Sequence, residues 1–525
     1  MRLNSILCSF FIAISWFATA QLPHYLIFFK DKPHAEEMIE QPEDYLSPAS
    51  IERRGNQSIA IDTNDVPIYS SYITTLKEDN IEILGQTKWL NGIVAQMDDA
   101  SVDHVMSMDF VRDVQLLKGN PGGQQKIASM TSIDADWEEQ FRMLGIEEMH
   151  ATGLYGQGVT IALMDGGFTG TNTLEGFSHL DIGDQYDFVN GATAVFDETD
   201  HGTSVLSLLA WKTTNHTGAA PDARYYLYQT EDMHSESPLE EVNWIFAAER
   251  ADSLGVDIIN TSLGYYLFDN EDLDYSYEDM DGRTALISKA ADIAVGRGIT
   301  VVASAGNTGN SSWNYIVTPA DAHDVLTVGA INRSGNQASF SANGPSADGR
   351  IKPDLVAIGA NTAVVNQNGD MVYSNGTSFS APLVTGFVAG LRQKFPDMNV
   401  YDLNDTIRST AQREGEPDFR TGYGIPYFPY ITQSLEQQHS NNKMVQVVPN
   451  PVTRGQLTIN IPDDIAFDIE VSVYTTTGQE VFKGAAVIEG DYIQTGLDVQ
   501  QLLPGVYIVN IASKQKEWKA RFQKI

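Results

Sequence analysis

Asn375-Gly376-Thr377-Ser378-Phe379-Ser380-Ala381-Pro382 places a serine between a glycine turn and an apolar run that reads as a helix through Leu391. A serine at a helix start is ordinarily a cap for free amides, but Gly-Thr-Ser-x-Ser-x-Pro specifies more than a cap needs. Upstream of it, short β-branched runs (Val159–Met164, Tyr225–Tyr228, Val256–Ile259, Ile299–Ala303 and Val325–Ala330) alternate with helical patterns such as Leu239–Asp252 and Gly282–Gly298. That alternation predicts an α/β fold, a parallel sheet flanked by helices, over residues 137–434. In such a sheet the loops at the carboxyl ends of the strands hold the site.

Two of those ends carry groups suited to nucleophilic acyl transfer. Asp165 closes the first run and is followed by Gly166-Gly167, which allows a sharp turn. His201 opens Asp200-His201-Gly202-Thr203-Ser204, a helix start with small residues around the imidazole. Alone, the first is a turn and the second a polar cap; with Ser378 they supply an acid, a base and a nucleophile.

In order, spacing and placement the three segments resemble the subtilase family, whose triad runs Asp, His, Ser; subtilisin is a standard example of that order. The resemblance covers roughly 144–433 and implies Asp165, His201 and Ser378 as catalytic residues. Ala303-Ser304-Ala305-Gly306-Asn307 resembles the family's oxyanion segment, which assigns Asn307 as donor. Ser262-Leu263-Gly264 resembles the edge that pairs with an extended substrate and walls the primary pocket, with Val317 near its floor and the pocket's size left open. Two positions depart from the family pattern: Gly166 stands where Ser or Thr is common, and Ser204 where many members have a second histidine. The chemistry implied needs no cofactor. The acidic stretch Asp269–Gly282 is expected as a solvated insertion, with a structural calcium as the alternative, although its spacing is not that of an EF-hand.

The flanks differ in character. Residues 21–118 read as strand, helix, strand, strand, helix, strand, and resemble a subtilase propeptide that would inhibit the enzyme until cut. The segment 119–136 contains Gly119-Asn120-Pro121-Gly122-Gly123 and is expected as linker and processing region. After a linker at 435–444, residues 445–525 alternate as short strands with turns at Pro449-Asn450-Pro451, Thr477-Gly478 and Pro504-Gly505, a small β-sandwich. With its basic end, Lys519 to Lys524, it resembles the type IX secretion sorting domain of Bacteroidetes, which implies that secretion machinery as partner.

Length and composition agree with several folded domains: 525 residues exceed a single core of about 250–300. The formal charge of −36 repels phosphate backbones, so nucleic acid is not an expected partner. Residues 1–20 read as an export signal, with Arg2, an apolar Ile6–Phe17 and a small-residue end at Ala18-Thr19-Ala20. That apolar run is too short to span a bilayer, and no later segment qualifies. The sole cysteine, Cys8, lies inside the signal, so the exported chain forms no disulfide. The expectation is a secreted or surface-held, monomeric serine endopeptidase made as a self-processing zymogen and acting on protein or peptide substrates. An inactive surface binding or adhesion protein on the same scaffold, and an esterase using the same triad, are the alternatives.

Overall fold

The computed structural model describes residues 22–118, 131–132, 137–441 and, beyond these, 446–448, 450, 452, 456–460, 470–475, 479–485, 487–489, 492–512 and 517–524. The expected signal at 1–20, all of 119–136 except Thr131 and Ser132, and the turn residues Pro449, Pro451, Thr477 and Gly478 lie outside the described residues. The chain forms two compact units that divide between Ile431 and Thr432.

The first unit is built on seven strands: β1 (Thr160–Asp165), β2 (Asp181–Asp187), β3 (Arg224–Gln229), β4 (Ile258–Thr261), β5 (Thr300–Ser304), β6 (Leu326–Ile331) and β7 (Leu355–Ile358). They lie in the order β7-β6-β5-β4-β1-β3-β2, and every pairing is parallel. The Val/Ile-rich strands β4 to β7 are buried along their whole length, as a sheet covered on both faces requires. All five expected runs form strands, each ending one or two residues later than its apolar stretch. Four of the five strands end on a polar residue, Asp165, Gln229, Thr261 and Ser304, that still pairs in the ladder, which sets polar side chains on the sheet's rim; the fifth ends on Ile331. The two edge strands lie outside the expected runs; β2 is a polar sequence that carries no apolar signal.

Helices α1 (His201–Ala210), α2 (Pro238–Leu254), α3 (Leu286–Gly296) and α4 (Thr377–Lys394) cover the sheet. A capping box between Ser237 and Glu240 starts α2. Expected from Gly282, α3 begins at Leu286 instead, because the Asp281 carboxylate takes the amides of Arg283 and Thr284 in a turn.

The N-terminal region is a four-stranded antiparallel sheet, His24–Phe29, Glu82–Thr87, Gly92–Gln96 and Val111–Lys118, with the helices Pro48–Asn56, Ser70–Glu78 and Asp99–Met106. It packs on α2 through buried charge. Asp252 receives Arg53 at 2.6 Å and Arg54 at 3.0 Å, with Lys88 at 3.4 Å. One turn earlier, Glu249 accepts from Thr87 Oγ1 and from the amides of Lys88 and Trp89. Burial raises the pKa of Glu249 despite those three donors. A cavity of about 790 Å³ lies beside this contact, lined by Lys88, Lys118, Asp232 and Arg250, and its lining includes none of Asp165, His201 or Ser378.

In the second unit, two four-stranded sheets share one apolar cluster, in which Val447, Leu457 and Ile459 meet Val471, Val473, Val509, Ile511 and Phe522. The expected linker at 435–444 is helical over most of its length, since the helix Phe428–Asn441 runs into it. Phe428, Ile431 and Leu435 recur at helical spacing and are buried, and no Gly or Pro interrupts the chain from Tyr430 to Asn441. Among the described residues no helix is long and apolar enough to cross a membrane.

Asp252 offers a direct test of the docking. Asp252→Ala removes the buried carboxylate facing Arg53 and Lys88, while Arg54 keeps Asp65 at 2.6 Å, and should cost about 3–5 kcal/mol in chemical unfolding of the first unit. Arg224→Ala, which removes an exposed pair with Asp181, should cost no more than about 1 kcal/mol.

Candidate functional site

Asp165, the last residue of β1, is 1% exposed. Its Oδ1 accepts from the amide of Gly166 and from Nδ1 of His201, each at 2.8 Å. His201 is the first residue of α1 and is about a third exposed, with 32% of its side chain open to solvent. Burial lowers the His201 pKa, but the Asp165 carboxylate more than reverses that, with Asp200 and Glu231 adding to it, so the ring titrates above its ordinary value. With Nδ1–H held by the carboxylate, the neutral ring keeps its lone pair on Nε2. The other Asp165 oxygen, Oδ2, is buried with no hydrogen-bond partner among the described residues. Gly166 brings no hydroxyl, and the space beside it is taken by Met233 and Thr199.

Ser378, the second residue of α4, donates its hydroxyl to the Ser262 carbonyl at 3.1 Å. Among the described residues no hydrogen bond joins Ser378 to His201; the neighbouring Phe379 ring lies 5.7 Å from the imidazole, centroid to centroid. In return Ser262 Oγ donates to the Ser378 carbonyl at 2.9 Å. That carbonyl is free because its helical partner four residues on is Pro382, which has no N–H. Asn260 Nδ2 donates to Ser262 Oγ at 3.2 Å, and Thr385 Oγ1 donates to Asn260 Oδ1 at 2.8 Å. A chain of buried hydrogen bonds therefore ties the first two turns of α4 to the end of β4.

Asn307 follows β5. Its Oδ1 accepts from the amide and the hydroxyl of Thr377, at 2.9 and 3.1 Å. Those two donors, from the residue next to Ser378, engage Oδ1 and leave Nδ2 with no hydrogen bond among the described residues. At the edge segment, Leu263 O accepts from Ser304 Oγ at 3.4 Å, while the N–H and C=O of Gly264 form no hydrogen bond among the described residues. Ser204 stitches α1 to the strand Thr362–Val365 by donating to Val365 O at 3.3 Å.

The structure thus gathers Asp165, His201, Ser378, Asn307 and Ser262-Leu263-Gly264 at the carboxyl ends of β1, β4 and β5 and the starts of α1 and α4. Sequence reasoning passed over Asn260, Thr377 and Thr385, which hold those groups in place. Asn260 carried a signal, as an amide closing the apolar run Val256–Ile259. Carboxylates of the acidic stretch do not converge: Asp269, Asp274, Asp279 and Asp281 each accept from a backbone amide, and among the described residues no group of three or more His, Cys, Asp or Glu side chains could hold a metal ion.

Comparison with known proteins gives three family matches: the subtilase family over residues 156–424, a Bacteroidota peptidase S8 propeptide domain over 24–130, and a secretion system C-terminal sorting domain over 446–524. Subtilisin E of Bacillus subtilis is 30% identical over 355 residues, 67% of this chain and 83% of the relative. Subtilisin DY of Bacillus licheniformis is 29% identical over 286 residues, 54% of this chain and 94% of the relative. The crystal structure of an epidermin leader peptide processing serine protease from Staphylococcus aureus superposes with a TM-score of 0.55 at 17% identity, covering 79% of this chain and 99% of that one, a likeness of fold.

The Asp165–His201 contact can be checked by titration. In Asp165→Asn the burial of His201 persists and the main attraction is lost, so its NMR titration midpoint should fall.

Proposed function

The chain belongs to the subtilase family, a serine protease carrying its own propeptide and a sorting domain for the extracellular or cell-surface space, and we propose that it is an endopeptidase that matures by cutting itself and works through an acyl-enzyme on Ser378. The observation that carries this reading is the convergence of four groups: a buried carboxylate on His201 Nδ1, a free Nε2, the Ser378 hydroxyl, and an Asn307 amide whose donor face is set by Thr377.

Rotation of the Ser378 hydroxyl from Ser262 O toward His201 prepares the attack. As Oγ bonds to the scissile carbonyl carbon, Nε2 takes its proton; Asp165 holds the tautomer and stabilises the imidazolium that forms. Negative charge moving onto the carbonyl oxygen is received by Asn307 Nδ2 and the Ser378 amide. His201 then passes the proton to the leaving amine, and water, deprotonated by the same nitrogen, releases the acyl group. The free backbone of Gly264 suits an extended peptide, which a simple ester does not need. That favours a peptidase over an esterase, and a purely binding scaffold has no use for the four aligned groups. We place the cut within 119–136. Lys118, at the end of the last N-terminal strand, bonds Asp232 at 2.9 Å and Ser235 at 2.7 Å, and Met233 between them abuts Gly166 beside Asp165. Chain leaving Lys118 therefore starts next to the cleft. The monomeric state and the type IX machinery as partner belong to the same proposal.

Expression of the wild type and Ser378→Ala tests it. The wild type should appear shortened and should hydrolyse casein, and Ser378→Ala should stay full length with activity lower by about 10⁶-fold, the loss known for subtilisin itself. Two full-length proteins without activity would remove the reading. Asn307→Ala should lower kcat by about 10²–10³-fold, again the value known for subtilisin's own asparagine, with KM little changed.

A further inference from the structure

Next to Ser378 the cleft runs between two backbone walls. One is Ser262-Leu263-Gly264, whose first carbonyl accepts from the serine; the other is Gly306-Asn307, tied to Thr377. Both walls present a glycine, and between the two stands the side chain of Val317. A methyl group built on Gly264 would overlap Val317 Cγ2, and one on Gly306, at φ 104°, would come within 2.8 Å of the same carbon. One valine methyl thus touches both walls and occupies the space that two glycines leave open.

Val317 cannot swing aside. Its amide donates to Ala305 O at 3.3 Å, and the next residue, Thr318, exchanges two backbone hydrogen bonds with Tyr265, at 3.0 and 3.2 Å. A second tie joins the same segments farther out, where the Tyr266 and Trp313 rings lie 4.7 Å apart, centroid to centroid. The valine itself is 4% exposed. Thr308, the next residue along the second wall, turns its hydroxyl to Tyr315 O at 2.5 Å, so neither Val317 nor Thr308 offers a charge.

We infer that Val317 closes the pocket for the side chain preceding the scissile bond, so that the enzyme cleaves after small uncharged residues, alanine, glycine and serine, and excludes aromatic and long aliphatic ones. The inference rests on the endopeptidase reading above and names its substrate class. Truncating one side chain in an apolar pocket changes discrimination by about 10–200-fold per methylene-sized step.

The test compares kcat/KM of the secreted enzyme for two p-nitroanilides, succinyl-Ala-Ala-Pro-Ala and succinyl-Ala-Ala-Pro-Phe, in the wild type and in Val317→Gly. The wild type should prefer alanine by at least about 10-fold, and Val317→Gly should shift the phenylalanine-to-alanine ratio of kcat/KM toward phenylalanine by about 10–200-fold. Equal or better turnover of phenylalanine by the wild type overturns the inference and leaves the endopeptidase reading standing. Should Val317→Gly fail to fold, cleavage sites mapped by mass spectrometry in a wild-type digest of a mixed peptide library decide the same question. No cleavage of either anilide or of the library overturns both readings.

Discussion

A proline in the second turn of a helix sets the geometry on which the rest of the site depends. Pro382 cannot donate to the Ser378 carbonyl, and the oxygen it leaves open is filled by Ser262 Oγ from the end of β4. Through Asn260 and Thr385 the same link runs back into the body of α4. Buried polar chains of this kind are stabilising only when every member is satisfied, and here each is satisfied by the next. Ser378 is therefore placed by the sheet as well as by its own helix, and the Ser262-Leu263-Gly264 segment and the serine are fixed by one set of bonds.

The remaining groups follow from parallel pairing. Because β1, β4 and β5 run side by side in one direction, their last residues fall on one rim, and Asp165, the Ser262 edge and the Asn307 turn meet there. Thr377 carries the arrangement across to α4 by holding Asn307. The N-terminal sheet is joined to this framework by charges that neither partner can bury alone, Arg53, Arg54 and Lys88 on one side and Glu249 and Asp252 on the other. Its last strand ends on Lys118, bonded to Asp232 and Ser235.

Apolar runs marked five of the seven strands, since strands buried on both faces must be apolar throughout. They understated where each strand ends, because polar residues at the rim still pair. Strand β2, polar in sequence, gave no such signal. Asp165, His201 and Ser378 were legible from local spacing and chain order. What holds them was not: the Asn260–Ser262–Ser378 link joins residues more than a hundred positions apart, and nothing in a single sequence pairs them. At the two departures from the family pattern stand a buried Asp165 oxygen with no partner among the described residues, beside Gly166, and a helix-to-strand link made by Ser204. Val317 could be placed near the pocket, but its reach across the gap depends on the Tyr265–Thr318 bridge, which only the folded chain reveals.

The central claim is that this network makes one serine nucleophilic. Reaction of the secreted protein with a fluorophosphonate, followed by peptide mass spectrometry, tests it most directly. The account predicts a single adduct on Ser378 that forms far more slowly in Asp165→Asn; an adduct on another residue, or none in a folded wild-type protein, would contradict it.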